Sequence, residues 1–475
     1  MPRFFGTDGV RGVANRDLSP LLAFRLGRAA GALLAEQARE GSGPRRRPVV
    51  LVGRDTRVSG GMLEGAITAG LTSTGADVIR LGVIPTPGLS YLTHRAGVDA
   101  GVMISASHNP VEDNGIKFFA PTGYKLPDEQ ERRLEAMVLE MATEDRLPSP
   151  TGAGVGRVAD EPALKSRYQE FLTVSPGVRL EGLRVVVDCA NGAAGELAPA
   201  VFRALGADVV PIFTGQSGED VNVNCGSTHP QALARAVREH GADAGLAFDG
   251  DADRCIAVDE QGQVVDGDQI LAIFALERLR SGSLPNNAVA CTVYSNGGLA
   301  AALGREGGRV VVTPPGDRHV LEALLQHGLV LGGEQSGHII LLEHARTGDG
   351  ILTGAMLLAV MKRRGLPLSR LAGQMPRMPQ VLVNVRVQDR ERVLSHPSVT
   401  AAIEQARASV GEEGRVYVRA SGTEPVVRVM VEGADEARVR RWAHRLAEVL
   451  QAAGAGQSGP TYGMAGGLAE AAKGG

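Results

Sequence analysis

The 475-residue sequence lacks the features that mark membrane, secreted and nucleic-acid-binding proteins. No stretch approaches the roughly 18 uninterrupted apolar residues of a membrane span, and no basic region followed by an apolar run marks a signal peptide. The formal net charge is only −3, which argues against nucleic acid or an anionic membrane as the main partner. The four cysteines are widely spaced and form no Cys-x-x-Cys pair, which favours reduced thiols and a cytoplasmic location.

Lysine is also scarce, because arginine supplies all but five of the 50 Lys and Arg residues. A lysine that lies close to a motif, as Lys117 does, is therefore notable. The length suggests about three domains, with four possible. A hydrophobic content of 43% is ordinary for a soluble globular protein.

Apolar strands alternate with amphipathic helices over most of the chain, a pattern typical of parallel α/β domains. The clearest elements are a helix over 59–73 and a strand over 100–104. Stretches rich in Pro and Gly near 147–156, and in Pro and Met near 374–379, indicate domain boundaries. We therefore predict the fold class α/β, with three similar mixed or parallel α/β domains, a smaller C-terminal α+β domain and a disordered tail, over 1–150, 157–256, 257–372, 378–453 and 454–475.

The polar heptad ISASHNP at 104–110 follows an apolar run of small residues. Such a run is typical of a strand buried on both faces of a parallel sheet, and the end of that strand is the usual place for chemistry in an open α/β sheet. Pro110 keeps Asn109 extended, so Ser107 is expected on a rigid, exposed loop. A serine at a strand end is also a common turn former or helix cap, and the heptad alone leaves both interpretations open.

Three carboxylates recur in the segment DGDADR, at Asp249, Asp251 and Asp253. Alternate side chains of an extended segment project to the same side, and convergent carboxylates repel one another unless a hard cation such as Mg²⁺ holds them. An EF-hand is a competing interpretation, since Glu260 is twelfth from Asp249, but that loop requires glycine at its sixth position, where Arg254 stands. A metal site is favoured over an EF-hand and over a solvated acidic turn.

Arginines accompany the other polar segments. Arg11 lies in the glycine-rich segment 5–12, which is expected to form a loop that can approach an anion. Arg419 opens the loop RASGTEP, whose hydroxyls and backbone N–H groups can approach an anion, and Arg428 follows in the next strand. A candidate pair for sugar hydroxyls or an amine lies in GEQSGH, at Glu334 and Ser336. Each segment alone is also a credible turn, but four strand ends that carry nothing but turns are improbable.

The segments ISASHNP, DGDADR, GEQSGH and RASGTEP, in this order, resemble the motifs of the α-D-phosphohexomutase superfamily, and the resemblance extends over residues 5–453. It implies four domains around a central cleft, an intramolecular phosphotransferase of the isomerase class, and one Mg²⁺ per chain. It also implies a phosphoserine at Ser107, which would ligate the metal together with Asp249, Asp251 and Asp253. The implied substrate-binding residues are Arg254, Glu334, Ser336, Arg419, Ser421, Gly422, Thr423 and Arg428, and the implied catalytic residues are Arg11, Ser107, His108, Lys117 and His338.

Gln335 in GEQSGH favours the branch of the superfamily that interconverts glucosamine 6-phosphate and glucosamine 1-phosphate, supplying UDP-N-acetylglucosamine synthesis. The resemblance implies a phosphoserine relay with glucosamine 1,6-bisphosphate as intermediate and activator. Phosphoryl transfer depends mainly on in-line positioning and charge neutralisation, which suits Mg²⁺ beside Arg and Lys. Lys117 and His338 are both candidates for the base. The expected partners are a small-molecule sugar phosphate and, in a homodimer, a second copy of the chain.

Three other interpretations stay open. A phosphomannomutase or phosphoglucomutase of the same superfamily would resemble GEMSGH at the position of GEQSGH. A serine hydrolase is a different reaction class, although Ser107 lacks a G-x-S-x-G elbow, and a sugar-phosphate sensor would bind without turnover. One departure from the superfamily is PPGDRH at 314–319, where relatives have a less proline-rich segment, so the details of the sugar-specificity loop are not fixed by the resemblance.

Overall fold

A computed structural model describes residues 4–6, 8–40, 47–411, 414–421 and 426–454 of the chain. Its contacts define two compact units. The first comprises the described residues up to Thr292 together with Arg305–Gln374, and the second comprises Val293–Gly304 together with the described residues from Met375 to Gly454. Three α/β sheets lie in the first unit and a smaller sheet lies in the second, which confirms the predicted fold class. The tail predicted over 454–475 falls, beyond Gly454, outside the described residues.

The first sheet has seven strands in the order β1-β2-β6-β5-β3-β4-β7. Strands β5, β3, β4 and β7 are parallel, whereas β1, β2 and β6 run antiparallel to their neighbours. All five residues of β5 are buried, as expected for a strand covered on both faces. The strands are β1 Phe5–Gly6, β2 Gly9–Val13, β3 Val49–Arg54, β4 Asp77–Val83, β5 Ala100–Ile104, β6 Asp113–Phe119 and β7 Val158–Asp160, and the helices are α1 Pro20–Glu40, α2 Ser59–Ser73, α3 Thr86–Arg95 and α4 Asp128–Glu140.

The second sheet has the order β12-β11-β10-β8-β9, with β8, β9 and β10 parallel and β11 antiparallel to β10. The short connection between β10 and β11 is the segment that carries the three aspartates, so two strands anchor it from both sides. The strands are β8 Arg184–Asp188, β9 Asp208–Ile212, β10 Ala244–Phe248, β11 Cys255–Asp259 and β12 Val264–Val265, and the helices are α5 Lys165–Val174, α6 Leu197–Ala204 and α7 Gln231–His240.

The third sheet has the order β14-β13-β15-β16, and its antiparallel pair β15–β16 encloses the GEQSGH turn. The strands are β13 Ala288–Thr292, β14 Arg309–Thr313, β15 Leu331–Gly333 and β16 Ile339–Leu341. The helices are α8 Gly267–Arg280, α9 Gly297–Arg305, α10 Asp317–His327, α11 Gly350–Arg364 and α12 Leu368–Ala372. Single turns of 3₁₀ helix occur at Gly152–Gly154, Pro162–Leu164 and Pro285–Asn287.

The second unit contains a three-stranded antiparallel sheet of order β17-β19-β18. Its fully buried Glu432 accepts hydrogen bonds from the Gly297 amide at 3.0 Å and from Arg415 Nε at 2.7 Å. The Asn296 side chain pairs with the backbone of Met378, donating and accepting at 2.9 Å, so the segment that opens α9 belongs with this sheet. The elements are β17 Gln380–Arg386, α13 Arg390–Leu394, α14 Pro397–Val410, β18 Arg415–Ala420, β19 Val426–Glu432 and α15 Glu436–Gly454.

Three features differ from the sequence-based expectation. The segment expected to form a loop over 5–12 contains the strands β1 and β2, and β2 pairs with β6, which gives its backbone a ladder partner about a hundred residues further along the chain. Strand β7, which falls in the predicted second domain, extends the first sheet beside β4. Strand β11 spans the boundary predicted at 256–257 and belongs to the second sheet. The domain boundaries themselves stay predictions.

Candidate active site

Ser107 lies just beyond the end of β5, as the sequence predicts. Its Oγ donates a hydrogen bond to Asp249 Oδ2 at 2.5 Å, so the loops that follow β5 and β10 meet at this serine. The exposed position expected for Ser107 is wrong: only 2% of the residue is exposed, because the aspartate loop covers it. Its φ of 54° lies in the left-handed region, an unusual conformation for a residue with a Cβ and one that recurs at functional sites.

The carboxylates of Asp249, Asp251 and Asp253 converge, with one oxygen of each within 4.8 Å of the others. The reason given by the sequence pattern is wrong in detail, because the segment is a tight turn with Ala252 at φ 54° instead of an extended strand. All three side chains are buried, and the Oδ1 atoms of Asp251 and Asp253 have no hydrogen-bond partner in the described structure. Buried carboxylate oxygens without donors fit a divalent cation, so this donor set fits a metal ion.

The charges of the cluster are distributed unevenly. Burial, with the charges of Asp253 and Asp251, raises the pKa of Asp249 well above its ordinary value. Burial also acts to raise the pKa of Asp251, but the Lys117 ammonium and the Thr86 hydroxyl outweigh it and hold that pKa below its ordinary value. Thr86 Oγ1 donates to Asp251 Oδ2 at 2.6 Å from the start of α3. A cation would relieve the repulsion that burial leaves between these carboxylates.

The EF-hand alternative is excluded by the position of Glu260. Its carboxylate accepts hydrogen bonds from the amide, at 3.2 Å, and the hydroxyl of Ser369, which follows the start of α12. The flanks of the aspartate segment are strands and not the helices that an EF-hand requires.

Lys117 reaches the aspartate cluster from β6. Its Nζ lies 2.9 Å from Asp251 Oδ2 and 3.0 Å from Asp8 Oδ2, and only 1% of its side chain is exposed. Burial opposes the charged ammonium, but the two carboxylates outweigh it and raise the pKa of Lys117. A protonated lysine in this position can neutralise charge that develops on a transferring phosphoryl group.

Asp8, Lys125 and Asp317 are site residues that the sequence analysis missed. Lys125 Nζ lies 2.6 Å from Asp317 Oδ2 and also pairs with Asp8, so the three connect the first and third sheets. Burial alone would raise the pKa of Asp8, but the charges of Lys117, Lys125 and Arg11 hold it well below its ordinary value. The scarcity of lysine was a signal that pointed to Lys125 as much as to Lys117.

His338 lies at the end of this network, immediately before β16. Its Nδ1 is 3.6 Å from Asp253 Oδ2, its Nε2 is 3.9 Å from Asp317 Oδ2, and Gly348 donates its amide to Nε2 at 3.0 Å. Burial lowers the pKa of His338 and the two carboxylates raise it, to about 9. The Gly348 N–H nevertheless requires a lone pair on Nε2 and therefore favours the neutral ring with its proton on Nδ1.

The residues next to Gly348 hold the aspartate loop in place, a role that the sequence did not predict. The Asp349 side chain caps α11 by accepting from the Leu352 amide at 3.0 Å and from the Tyr168 hydroxyl at 2.8 Å. Gly350 at the start of α11 donates its amide to the carbonyl of Ala252 at 3.0 Å. A Cβ at Gly350 would lie 2.2 Å from the Arg254 carbonyl oxygen, so only glycine allows the helix to approach the aspartate loop this closely. The sequence signal was the Gly-Asp-Gly triplet before an apolar helix.

Arg11, His108 and Arg254 surround Ser107. Arg11 on β2 forms an ion pair with Asp8 and donates to the carbonyl of Ala106 at 3.4 Å. His108 Nδ1 lies 3.2 Å from Ser107 Oγ. The charge of Arg254, together with burial and Arg11, lowers the pKa of His108 well below its ordinary value, so the ring is neutral. The Nε of Arg254 is buried without a hydrogen-bond partner in the described structure, and it forms an ion pair with Asp253 Oδ1 at 3.9 Å.

The GEQSGH turn meets the proline-rich segment at 314–319. Glu334 Oε1 accepts from the Gly316 amide at 3.0 Å, and Gly316 has a φ of 121°, which a residue with a Cβ rarely adopts. Ser336 is half-buried in the turn between β15 and β16. The unusual prolines thus lie directly beside the carboxylate predicted to bind the sugar.

The predicted phosphate loop lies in the second unit. Arg419 on β18 and Arg428 on β19 are directly opposite each other in the antiparallel register. Arg419 Nε donates to the Tyr294 hydroxyl at 3.0 Å, and its guanidinium lies 5.8 Å from the centre of that ring. Like charges directly opposite each other repel, and an anion bound between the two guanidinium groups would relieve that repulsion. Ser421 is buried, whereas two predicted members of the loop lie outside the described residues, Gly422 and Thr423.

Comparison with known families covers almost the whole chain. Residues 2–145, 166–262, 266–378 and 382–449 match domains I, II, III and the C-terminal domain of phosphoglucomutase/phosphomannomutase. The chain therefore belongs to the phosphoglucomutase/phosphomannomutase family, the α-D-phosphohexomutases, and it is an enzyme of the isomerase class. This membership rules out the hydrolase and sensor interpretations.

Within the family the chain groups with the phosphoglucosamine mutases. It is 56% identical to that of Moorella thermoacetica over 435 residues, which is 92% of this chain and 96% of the relative. It is also 56% identical to that of Symbiobacterium thermophilum over 452 residues, or 95% and 99% of the two chains. A phosphoglucomutase/phosphomannomutase family protein from Burkholderia thailandensis has a similar solved structure, with a TM-score of 0.76 at 28% identity and coverage of 96% and 98%.

The N-acetylphosphoglucosamine mutase of Aspergillus fumigatus, solved with GlcNAc-6P and magnesium, shares the fold with a TM-score of 0.67 at 20% identity, and 95% of this chain and 96% of that one are covered. The family and the aspartate cluster together indicate a metal-dependent mutase that acts on a sugar phosphate. Within the described ranges, no helix is long and apolar enough to cross a membrane.

Proposed function

We propose that the chain interconverts glucosamine 6-phosphate and glucosamine 1-phosphate through a phosphoserine at Ser107 and glucosamine 1,6-bisphosphate. The observation that carries the proposal is the 2.5 Å contact of Ser107 Oγ with Asp249 in the buried carboxylate cluster. A serine hydroxyl held against a metal-binding carboxylate is where a phosphoryl group would need both a covalent anchor and charge neutralisation.

One Mg²⁺ is proposed to be held by Asp249, Asp251 and Asp253, with an oxygen of the Ser107 phosphate as a further ligand. When bound, the ion supplies neutralisation of the charge on the transferring phosphoryl group. The support is the convergence of three buried carboxylates, two of which keep an oxygen without a hydrogen-bond donor in the described structure. Hard oxygen donors suit Mg²⁺.

In the first half-reaction the phosphoryl group on Ser107 passes to the 1-hydroxyl of glucosamine 6-phosphate, and that hydroxyl gives up its proton. Arg11, Arg254 and the Lys117 ammonium neutralise the transferring group, and the hydroxyl proton goes to His338, because the protonated Lys117 has no lone pair to accept it. His108, neutral beside Ser107, orients the serine. The 1,6-bisphosphate then turns over, and its 6-phosphoryl group returns to Ser107 while the 6-oxygen takes up a proton and glucosamine 1-phosphate is left.

The phosphate that is not reacting needs its own anion site during this reorientation. We assign it to the loop of the second unit, formed by Arg419, Ser421, Gly422, Thr423 and Arg428. The cross-strand position of the two arginines supports that role. The sugar itself is assigned to Glu334 and Ser336. We also propose that the protein is a cytoplasmic homodimer and that its product supplies UDP-N-acetylglucosamine synthesis.

The test combines a mass measurement with a substrate comparison. Intact mass of the purified protein should show one phosphoryl group, and peptide mapping should place it on Ser107. Turnover should be highest on glucosamine 6-phosphate, with mannose and glucose 6-phosphates as the comparison set. Preferred turnover of either comparison sugar would favour the phosphomannomutase or phosphoglucomutase alternative. Sedimentation of the same sample tests the homodimer.

A further inference from the structure

Arg57, in the turn between β3 and α2, is among the largest fully buried side chains. Each of the five N–H groups of its guanidinium has an acceptor. Nε donates to the Asp55 carboxylate at 3.0 Å. The other four N–H groups donate to backbone carbonyls of the loop that carries Ser107 and of the first residue of β6, at 3.0, 2.8, 2.5 and 3.0 Å; those carbonyls belong to Ser107, Asn109, Pro110 and Asp113.

Arg57 and the residues around it also fix both backbone polar groups of Ser107, its N–H and its carbonyl. Its carbonyl accepts from Arg57 and, at 2.9 Å, from the side-chain Nδ2 of Asn222. Its N–H donates at 2.9 Å to Ser105 Oγ, which in turn donates to the Asp55 carboxylate at 2.6 Å. These contacts hold Ser107 at the positive φ that it would otherwise rarely adopt.

We propose that Arg57 is a positioning residue for phosphoryl transfer, which fixes the Ser107 loop so that Oγ faces the metal-binding carboxylates. The inference rests on the proposed function of Ser107. Arg57 has no N–H left to contact substrate, and Asp55 balances its charge, so its effect on the reaction passes through the loop alone. Only arginine has a planar guanidinium group that can donate to several separate carbonyls at once, because a lysine ammonium has only three N–H donors on a single nitrogen.

A merely structural Arg57 would stabilise the fold without affecting the reaction rate, and the two roles can be separated by kinetics. A loop that presents Oγ wrongly lowers kcat, while the groups that bind the sugar phosphate, and therefore KM, stay in place. A displacement of about 1 Å at a reacting atom costs on the order of 100-fold in rate. A loss of fold instead lowers the amount of active enzyme and the melting temperature.

The experiment compares Arg57→Lys with Arg28→Lys in the full-length phosphorylated enzyme. Arg28 on α1 is a matched control, because it is 5% exposed and donates to a serine hydroxyl, a carboxylate and a backbone carbonyl; those partners are Ser73, Asp145 and Leu147. We expect Arg57→Lys to lower kcat by roughly 10- to 100-fold with KM within about twofold of the native value. Arg28→Lys should lower the melting temperature and leave kcat per folded molecule unchanged.

A kcat for Arg57→Lys within twofold of native, or a fall matched by an equal rise in KM, would overturn the proposal. If Arg57→Lys does not fold, Arg57→Gln decides, since its planar amide offers two donors to the carbonyls in place of four and should lower kcat by about tenfold; an unchanged kcat there also overturns the proposal. The native enzyme is assayed in parallel. Failure of the native enzyme to turn over glucosamine 6-phosphate would instead refute the proposed function.

Discussion

Substitution of Gly348 by alanine should displace His338 without replacing any of the three predicted metal ligands. The new Cβ would lie 2.6 Å from Nε2 and Cδ2 of the His338 ring and 2.7 Å from Cε1. Ordinary contact begins near 3.4 Å, so the ring has to retreat by about 0.8 Å. Gly348 does not have a positive φ, and alanine therefore brings no backbone strain of its own.

The displaced ring has little room, because His338 is only 3% exposed and lies between the carboxylates of Asp253 and Asp317. A shift of this size also breaks the hydrogen bond from the Gly348 amide to Nε2. Misplacement of a reacting group by about 1 Å costs on the order of 100-fold. We therefore expect Gly348→Ala to lower kcat for glucosamine 6-phosphate by roughly 10- to 100-fold, with the larger part of the effect in kcat.

Gly61→Ala is the matched control, because a Cβ at that position on α2 meets nothing within 4 Å. It should leave kcat unchanged and stabilise the protein by up to about 1 kcal/mol. The assay is steady-state conversion of glucosamine 6-phosphate, normalised to folded protein by circular dichroism. If folded Gly348→Ala keeps a kcat within twofold of native, His338 does not need its observed position and its assignment to proton transfer is wrong.

Four further outcomes are expected. Ser107→Ala should abolish turnover and the phosphoryl mass increment while the melting curve stays native-like, and near-native activity would refute the relay. Calorimetric titration should show weaker Mg²⁺ binding to the dephosphorylated enzyme than to the phosphorylated one, whereas equal affinities would remove the phosphate from the coordination shell. Arg419→Ala removes a charge-assisted contact of about 1.5–3 kcal/mol, so KM should rise about 10- to 150-fold. Free bisphosphate should also appear in phosphorus NMR during turnover. An unchanged KM without release of bisphosphate would show that this loop does not hold the phosphate that is not reacting. Burial raises the pKa of Asp188 to about 7, so the native state holds this proton more tightly than the unfolded chain, and the free energy of unfolding should fall by roughly 3 kcal/mol between pH 4 and pH 7; denaturant titrations of Asp188→Asn should lack this fall, and an identical pH profile would show that the carboxyl is not responsible.

Short sequence patterns predicted the elements whose contacts are made by residues close together in the chain. The helix Ser59–Ser73 and the strand Ala100–Ile104 match the expectation residue for residue, since the apolar pattern of their own residues determines them. Ser107 was found because it stands at the end of an apolar strand, and the aspartate cluster because its three carboxylates alternate along the chain. The convergence of the carboxylates was predicted for the wrong reason, because a turn brings them together.

The parts that sequence reasoning missed depend on contacts between distant segments. Strand β6 has glycine and asparagine near its start and forms because β5 and β2 pair with it on both sides. Lys125 and Asp317 meet across 192 residues, and Arg57 meets the Ser107 carbonyl across 50. No local pattern records such a pairing. A buried arginine beside an aspartate reads in sequence as an ordinary charged turn.

Because Gly297 donates its amide to Glu432, the C-terminal unit is compact in space but discontinuous in sequence. A fragment that begins after Gln374 would keep the sheet β17–β19 yet lose that donor and the pairing of Asn296 with Met378. The buried Glu432 carboxylate would then lack one of its donors, which is costly inside a protein. Domain exchange between relatives, or complementation of split halves, therefore has to transfer residues 293–304 together with the C-terminal sheet, although β14, β15 and β16 intervene in the chain.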